Sequence, residues 1–296
     1  MDAAGTLSPP VADLHLHTRC SDGALSPEEL LQKAAQRGLC CIAFTDHDTV
    51  EGYEAASALA RQLGIELVSG IEVSCYEAGR ELHVLGYGID VAHRRVREHM
   101  ERARERRWRR LERMVQRCRR LGLMVTLEEA TEEAPGAVVG RPHLAAALLR
   151  RGYCQSLAEA FARYLEPGRP AYEPPEEFPV VRALELIHAT GGVAILAHPG
   201  RAFQNPRLLL ELLRRGFDGV EVYHPQHGSV LRSYYGLLAR QHRWLVSGGS
   251  DYHGTRPYDE WNFGRFGISA QELERFCERL AMLGRRCGNP ALGATG

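Results

Sequence analysis

An α/β barrel of mostly parallel strands, interrupted by a helical insertion, is the fold class this sequence predicts. Three observations carry that prediction. Short apolar runs alternate with amphipathic helical segments in both the first and the last third of the chain, the pattern of βα units. Seven such runs are too many for a small open sheet and one short of an eight-stranded barrel, so a slightly irregular barrel fits best. An arginine-rich helical block and a Pro-rich return break the alternation in the middle.

The candidate strands read, in order, "VADLHL", "CCIAFT", "IELVSGIEVS", "ELHVLGYGI", "GVAILAH", "FDGVEVY" and "WLVSGGS". Between the first two lies "SPEELLQKAAQRG", with Ser26 as N-cap, Pro27 at the first helical position and Gly38 at the C-terminal end. "TVEGYEAASALARQLG" repeats the design before the third strand. From residue 94 to 120 the chain holds 13 arginines against four glutamates. Met100, Ala103, Trp108, Leu111, Val115 and Cys118 recur there at helical spacing, which predicts one long amphipathic helix. Its charge suits a solvated outer face better than an RNA-guiding surface. Helices "PHLAAALLRRG" and "SLAEAFARYL" follow, and "EPGRPAYEPPEEFP" returns the chain to strands. The expected organisation is a barrel over 11–97 and 176–284, an insertion over 98–175 that binds substrate, and disordered ends at 1–10 and 285–296.

Composition narrows the function classes. With 44% hydrophobic and 25% charged residues, the chain can bury a substantial core. A formal net charge of zero gives no global attraction to nucleic acid and leaves only local patches. Eight cysteines without a Cys-x-x-Cys pair suggest reduced, buried thiols, not a disulfide framework or zinc ribbon. No signal-peptide pattern or membrane-length run occurs, so a cytoplasmic location is expected, with no membrane contact. No motif calls for an obligatory protein partner.

Polar residues cluster at the ends of these apolar runs. In "VADLHLHTRCSDG", Asp13, His15 and His17 alternate with apolar residues and are expected to share a face, with Asp22 just beyond. The second run leads into Asp46, His47 and Asp48. Glu72 and His83 interrupt the third and fourth. His198 ends the fifth, Glu221 and His224 the sixth, Asp251 and His253 the seventh. In a parallel barrel such ends lie on one rim, where these folds build their active sites. Each group alone has a plain structural reading as a satisfied core residue. Together they carry a desolvation cost that divalent cations relieve, since imidazole and carboxylate suit Mn²⁺, Zn²⁺ or Fe²⁺. With no cysteine in the set, a structural thiolate zinc site is disfavoured.

"DLHLHTRCSDG", "FTDHDT", "SGIEVSC", "HVLGYGI", "LAHPG" and "SDYHG" resemble the successive motifs of the PHP (polymerase and histidinol phosphatase) family. The resemblance runs over about residues 11–90 and 180–255. It implies a distorted (β/α)7 barrel holding two to three divalent ions, Mn²⁺ foremost. One ion would be held by His15, His17, Glu72 and Asp251, and a second by Asp22, His47 and His253. A third would take Glu72 as a bridge, with His83 and His198. Asp22 stands where many relatives carry histidine, which is typical of one branch.

"GRPHLA" and "YLEPGRPAY" resemble the insertion of the branch that hydrolyses nucleoside 3′,5′-bisphosphates and trims short RNA from its 5′ end. That resemblance implies Arg141, His143 and Arg169 as substrate contacts, although relatives usually carry lysine where Arg169 stands. Arg141 has separate support. Gly140, Arg141 and Pro142 read as a helix start, where a cation is disfavoured by ~0.3–1 kcal/mol unless an anion shares the site. The implied reaction is hydrolysis of a phosphate ester by hydroxide generated on the ions. His224 is a candidate for phosphate contact or for protonating the leaving oxygen, and a supporting role behind the ligands is equally open. Asp46 and Asp48 are expected to orient neighbouring histidines.

Rival readings are an amidohydrolase-type barrel, a non-catalytic metal- or RNA-binding module, and a histidinol-phosphate type phosphatase. Many binuclear amidohydrolases use a carbamylated lysine, and the only lysine, Lys33, lies on a predicted outer helix. Decay of a non-catalytic module should have lost ligands, yet all nine positions are occupied. "GRPH" disfavours the third.

Overall fold

The computed structural model describes residues 11–132, 138–203 and 205–284. The disordered ends expected at 1–10 and 285–296 lie outside the described residues. Seven strands form one sheet in chain order: β1 (Ala12–Leu16), β2 (Cys41–Phe44), β3 (Glu66–Glu77), β4 (Arg80–Tyr87), β5 (Val193–Leu196), β6 (Gly219–Tyr223) and β7 (Leu245–Gly248). The sheet curls into a nearly closed barrel. It departs from the expected parallel arrangement at one place, because β4 runs antiparallel to both β3 and β5. The two-residue turn Ala78–Gly79, both at positive φ, makes β3–β4 a tight hairpin with no room for a crossover helix. That reversal puts the first half of β4, not its C-terminal end, at the functional rim.

Helices cover the outside. α1 (Pro27–Gln36) starts as the sequence indicates, with Ser26 and Glu29 forming a reciprocal capping box and Pro27 in the first turn. It buries Leu30, Leu31 and Ala34 against Ile42 and Phe44 of β2. α2 (Glu51–Leu63) ends on Gly64 in the left-handed region. α3 (Arg94–Arg120) is the single long helix expected from its spacing, and it serves two cores. Val96 and Met100 pack on the barrel, while Leu111, Met114, Val115 and Cys118 join a separate cluster with Leu144, Leu148 and Leu165. Trp108 departs from the apolar stripe and stands 36% exposed. That second cluster is built with α4 (Leu127–Thr131), α5 (Arg141–Arg150), α6 (Leu157–Ala160) and a π-helical turn at Phe161–Leu165.

The chain returns beside the hairpin, where Phe178 and Tyr76 exchange backbone hydrogen bonds. α7 (Val180–Ala189) leads into β5. α8 (Pro199–Ala202) and α9 (Pro206–Leu213) connect β5 to β6, and α10 (Ser229–His242) connects β6 to β7. α11 (Asp259–Asn262) and α12 (Ala270–Met282) follow β7. Leu273, Phe276 and Leu280 of α12 pack with Leu14, Leu85, Tyr87 and Ile195, so one end of the barrel is filled with apolar side chains. The other end is left for polar groups. Six described cysteines are free thiols, whereas Cys277 is disulfide-bonded, so the expectation of reduced thiols fails there.

The seam between β7 and β1 decides where the first histidines point. Three residues of β1 span two of β2, since Asp13 pairs with Ile42 and Leu16 with Phe44. This bulge lets the adjacent residues Leu14 and His15 both face inward. Leu14 joins the interior core, and Leu16 falls instead among Leu30, Leu31 and Phe263 outside the barrel. The expectation that Asp13 shares a face with His15 and His17 is therefore wrong. Asp13 points away and accepts hydrogen bonds from Ser250 N at 2.9 Å and Gly264 N at 3.1 Å. Together with His17 N donating to Tyr252 O at 3.0 Å, these close the barrel. Gly249 is required at this seam, because a Cβ there would lie 2.3 Å from that of His15.

Asp13→Ala should leave two backbone N–H groups at the seam without their acceptor, at roughly 1–3 kcal/mol each. We expect about 2–5 kcal/mol lower unfolding free energy in urea titrations. A loss below about 1 kcal/mol would show that the seam is held by other contacts.

Candidate metal centre

Each element end delivers its side chain by a local device. His15 and His17 follow the β1 bulge. The next turn is pinned by Asp46, which accepts from Thr18 N and Thr18 Oγ1 at 2.7 Å each and from Ser21 Oγ at 2.6 Å. That turn aims Asp22 inward. Asp46 therefore holds the loop carrying two ligands and does not orient His47, as the sequence had suggested. After β2, His47 bridges to Glu72 on β3, with Asp48 N donating to Glu72 O at 2.9 Å. His83 on β4 pairs across the hairpin with Ser74. His198, Asp251 and Asp48 all have positive φ, which non-glycine residues adopt only when neighbours over-determine them.

These devices bring all nine expected residues together around Glu72, itself 1% exposed. Its Oε2 lies 3.5 Å from His15 Nε2, 3.3 Å from His17 Nε2 and 3.1 Å from His47 Nδ1. Its Oε1 lies 2.9 Å from His83 Nδ1 and 3.1 Å from His198 Nε2. Asp251 Oδ1 sits 3.5 Å from His15 Nε2 and 3.4 Å from His17 Nε2. Asp22 Oδ1 is 3.3 Å from His253 Nε2 and 3.9 Å from His47 Nε2. Donor sets with metal-ligand spacing are His15–His17–Asp251, His15–Glu72–His198, His47–Glu72–His83 and His17–Asp22–His47–His253.

The polar atoms at the centre test whether cations fit. His15 Nε2, both ring nitrogens of His17, His47 Nδ1, Asp22 Oδ1 and Glu72 Oε2 are all buried without a hydrogen-bond partner. Such atoms are costly to strand, and here they face one another. Burial opposes charge on Glu72, Asp22 and Asp251, yet the surrounding imidazoles hold all three carboxyls well below the usual range. Burial dominates at His47, pushing it down to about 3, so it presents a neutral ring with a lone pair. Nitrogen and oxygen donors of this kind, with no sulfur, fit borderline divalent cations.

The supporting contacts include groups the sequence reading left without a role. Glu221 accepts from His15 Nδ1 at 2.8 Å, which turns the His15 Nε2 lone pair toward the cluster. Its other oxygen accepts from His198 N at 2.7 Å. The signal was present, an acid between Val220 and Val222 on an otherwise apolar strand. Arg256 donates to Asp251 Oδ2 at 3.0 Å from a later loop, and nothing in the sequence pointed to it. Asp48 does not orient a ligand imidazole either. It takes Arg107 Nε at 3.0 Å and Nη2 at 2.8 Å, His99 Nε2 at 3.0 Å and Ser74 N at 3.0 Å, so it ties α3 to the loop bearing His47.

His224 is buried beside the cluster, 3.5 Å from Asp251 Oδ2. Gln226 N donates to its Nδ1 at 3.2 Å, so the neutral ring carries its proton on Nε2. That nitrogen is buried without a hydrogen-bond partner and belongs to none of the donor sets above. Arg141 is the first residue of α5, as expected, and its Nη2 lies 2.8 Å from Glu81 Oε2. His143 turns back to accept from Gly140 N at 3.1 Å. Arg169 is exposed in the turn before Tyr172, with no described contact to the cluster.

The PHP domain family model matches residues 13–166. The chain belongs to the PHP family. It is 36% identical over 260 residues to the 5′-3′ exoribonuclease Rnm of Escherichia coli, covering 84% of this chain and 87% of that one. It is 33% identical over 246 residues to the 3′,5′-nucleoside bisphosphate phosphatase of Chromobacterium violaceum, covering 81% and 86%. A solved Bifidobacterium adolescentis structure described as a metal-dependent phosphoesterase superposes with a TM-score of 0.83 at 28% identity, over 92% of this chain and 97% of that one. The nearly closed seven-stranded barrel is the PHP fold, and this PHP protein is a metal-dependent hydrolase. No described helix is long and apolar enough to cross a membrane.

Glu72 touches both ends of the cluster, so Glu72→Ala should lower metal content at more than one position. Elemental analysis of gently purified wild-type protein should find between two and three transition-metal ions per chain. Full occupancy in the variant would refute Glu72 as the shared ligand.

Proposed function

We propose that the protein removes the 5′-phosphate of nucleoside 3′,5′-bisphosphates and acts at the 5′ ends of short RNA. Two to three divalent ions would be held by His15, His17, Asp22, His47, Glu72, His83, His198, Asp251 and His253, with Mn²⁺ foremost and Zn²⁺ or Fe²⁺ as alternatives. When bound, such ions act as Lewis acids on phosphoryl oxygens and lower the pKa of coordinated water.

The protein's own groups account for the rest. His224, buried beside Asp251 with Nδ1 occupied by Gln226 N, would donate from Nε2 to a phosphoryl oxygen or to the departing alkoxide. The observation that carries the substrate assignment is the Arg141–Glu81 pair. Glu81 precedes His83 by two residues on β4, so both occupy one face of the strand. Through Glu81, Arg141 thus stands two residues along β4 from His83 of the cluster, at the start of α5. A second phosphate there would meet the guanidinium at the positive end of the α5 dipole, with Glu81 displaced. His143 shares the first turn of α5, and with Arg169 of the insertion it would complete the proposed phosphate contacts. The names of the E. coli and C. violaceum relatives agree with a two-phosphate or polynucleotide substrate.

The test compares adenosine 3′,5′-bisphosphate with AMP, in wild type and in Arg141→Ala. A charge-assisted arginine–phosphate contact contributes roughly 1.5–3 kcal/mol. The variant should therefore lose about 10- to 150-fold in kcat/KM on the bisphosphate. AMP hydrolysis, slow from the start, should change little. Equal losses on both substrates would make Arg141 structural. A wild-type enzyme indifferent to the 3′-phosphate would leave only a general metal phosphoesterase.

A further inference from the structure

The β3–β4 hairpin carries the site outward in rungs. Glu72, Ser74 and Tyr76 alternate along β3 and pair with Leu85, His83 and Glu81 on β4. Successive rungs on one face are about 7 Å apart, comparable to one nucleotide of an extended strand. The first rung lies in the metal cluster and the second shares His83 with it. The second and third rungs, through Ser74, Tyr76 and Glu81, form one wall of a groove whose other wall is α3, with Arg106, Arg107 and Arg110.

The charges in this groove are unevenly settled. Each of its carboxylates already has a guanidinium: Asp48 has Arg107 at 2.8 Å, Glu81 has Arg141 at 2.8 Å, and Glu176 has Arg109 at 3.6 Å. Among the described residues, neither Arg106 nor Arg110 has a carboxylate within 4.0 Å. Arg106 lies over the Phe178 ring, 5.0 Å from its centroid. Arg110 donates Nε–H to the Glu173 carbonyl oxygen at 2.8 Å, and its buried Nη2 has no partner. Burial pushes both guanidiniums below their ordinary range, Arg110 to about 10. Tyr172 links this place to the second phosphate position, with Arg110 at 5.6 Å and Arg141 at 5.9 Å from its ring centroid. Partly buried cations short of anions favour an anion supplied from outside.

We infer that this groove binds an RNA backbone phosphate, the next along the strand after the phosphate held at Arg141. The inference rests on the proposed reading of the site and extends it. A nucleoside bisphosphate has no phosphate beyond the one at Arg141, whereas a short strand continues to Arg106 and Arg110. The substrate class that fills the whole surface is a 5′-phosphorylated oligoribonucleotide.

The test uses the full, metal-loaded chain and non-hydrolysable phosphonate-linked oligoribonucleotides of two to five nucleotides, with binding followed by fluorescence anisotropy. Wild-type affinity should rise about 10-fold or more at the length whose added phosphate reaches the groove. The Arg106→Gln/Arg110→Gln double variant should lose that rise. Its slope of log K against log salt should shrink by about 0.7, the contribution of one phosphate contact on a single strand. Arg110→Lys alone, which keeps the charge, should retain most of the slope. Affinity independent of length in the wild type would overturn the inference. So would an equal loss on adenosine 3′,5′-bisphosphate and on the longest strand. Failure of the underlying reading would look different: no phosphate released from the bisphosphate, with the length-dependent rise in affinity intact.

Discussion

A carboxylate surrounded by five imidazoles is an unusual thing to bury, and Glu72 is the point from which the rest of this molecule is organised. His15, His17, His47, His83 and His198 all bring a ring nitrogen within 3.5 Å of it. Removing that many polar groups from water without partners would cost more than a domain of this size has in net stability. The cost falls when cations take the lone pairs. Every device at the rim then has a physical reason: the bulge in β1, the positive φ of Asp48, His198 and Asp251, and Glu221 fixing the His15 tautomer. They are the strain and second contacts needed to converge donors from six strands and their loops on one place.

The reversed strand β4 gives this barrel its particular character. A parallel β4 with a crossover helix would bury the rim edge of β3 under that helix. The hairpin instead lets β3 run on past Glu72, and its pairing with β4 exposes further rungs on the same face. Chemistry and recognition thus share one continuous strip of backbone. In the proposed reading Glu72 and His83 would hold metals, and Ser74, Tyr76 and Glu81 would begin the surface that a longer substrate meets.

Much of the site was legible in the sequence because its evidence is cumulative. Single histidines on single strands say little, yet acids and imidazoles at the ends of seven apolar runs have few explanations, and all nine did converge. Asp13 misled because strict alternation was assumed where a bulge intervenes, and a bulge leaves no mark in a five-residue apolar–polar pattern. Asp46 and Asp48 misled because adjacency to His47 along the chain is not adjacency in space. Their partners, Thr18, Ser21 and Arg107, come from other segments. Arg256 was illegible for the same reason. The direction of β4 was in principle readable from Ala78–Gly79, whose brevity excludes a crossover.

The insertion is bound up with the metal centre more closely than its separate core suggests. Arg107 and His99 of α3 grip Asp48, the residue after His47, while Ser74 N supplies a further donor from β3. Without α3, that buried carboxylate would be left with little compensation, beside a metal ligand and in a strained backbone conformation. From positions just before and nearly one turn after Arg107, the same helix offers Arg106 and Arg110 to the groove. In the proposed reading, the position of the His47 loop and the grip on substrate would both depend on α3. On that reading, a strand seated against α3 would lie on the same helix that holds the His47 loop through Asp48.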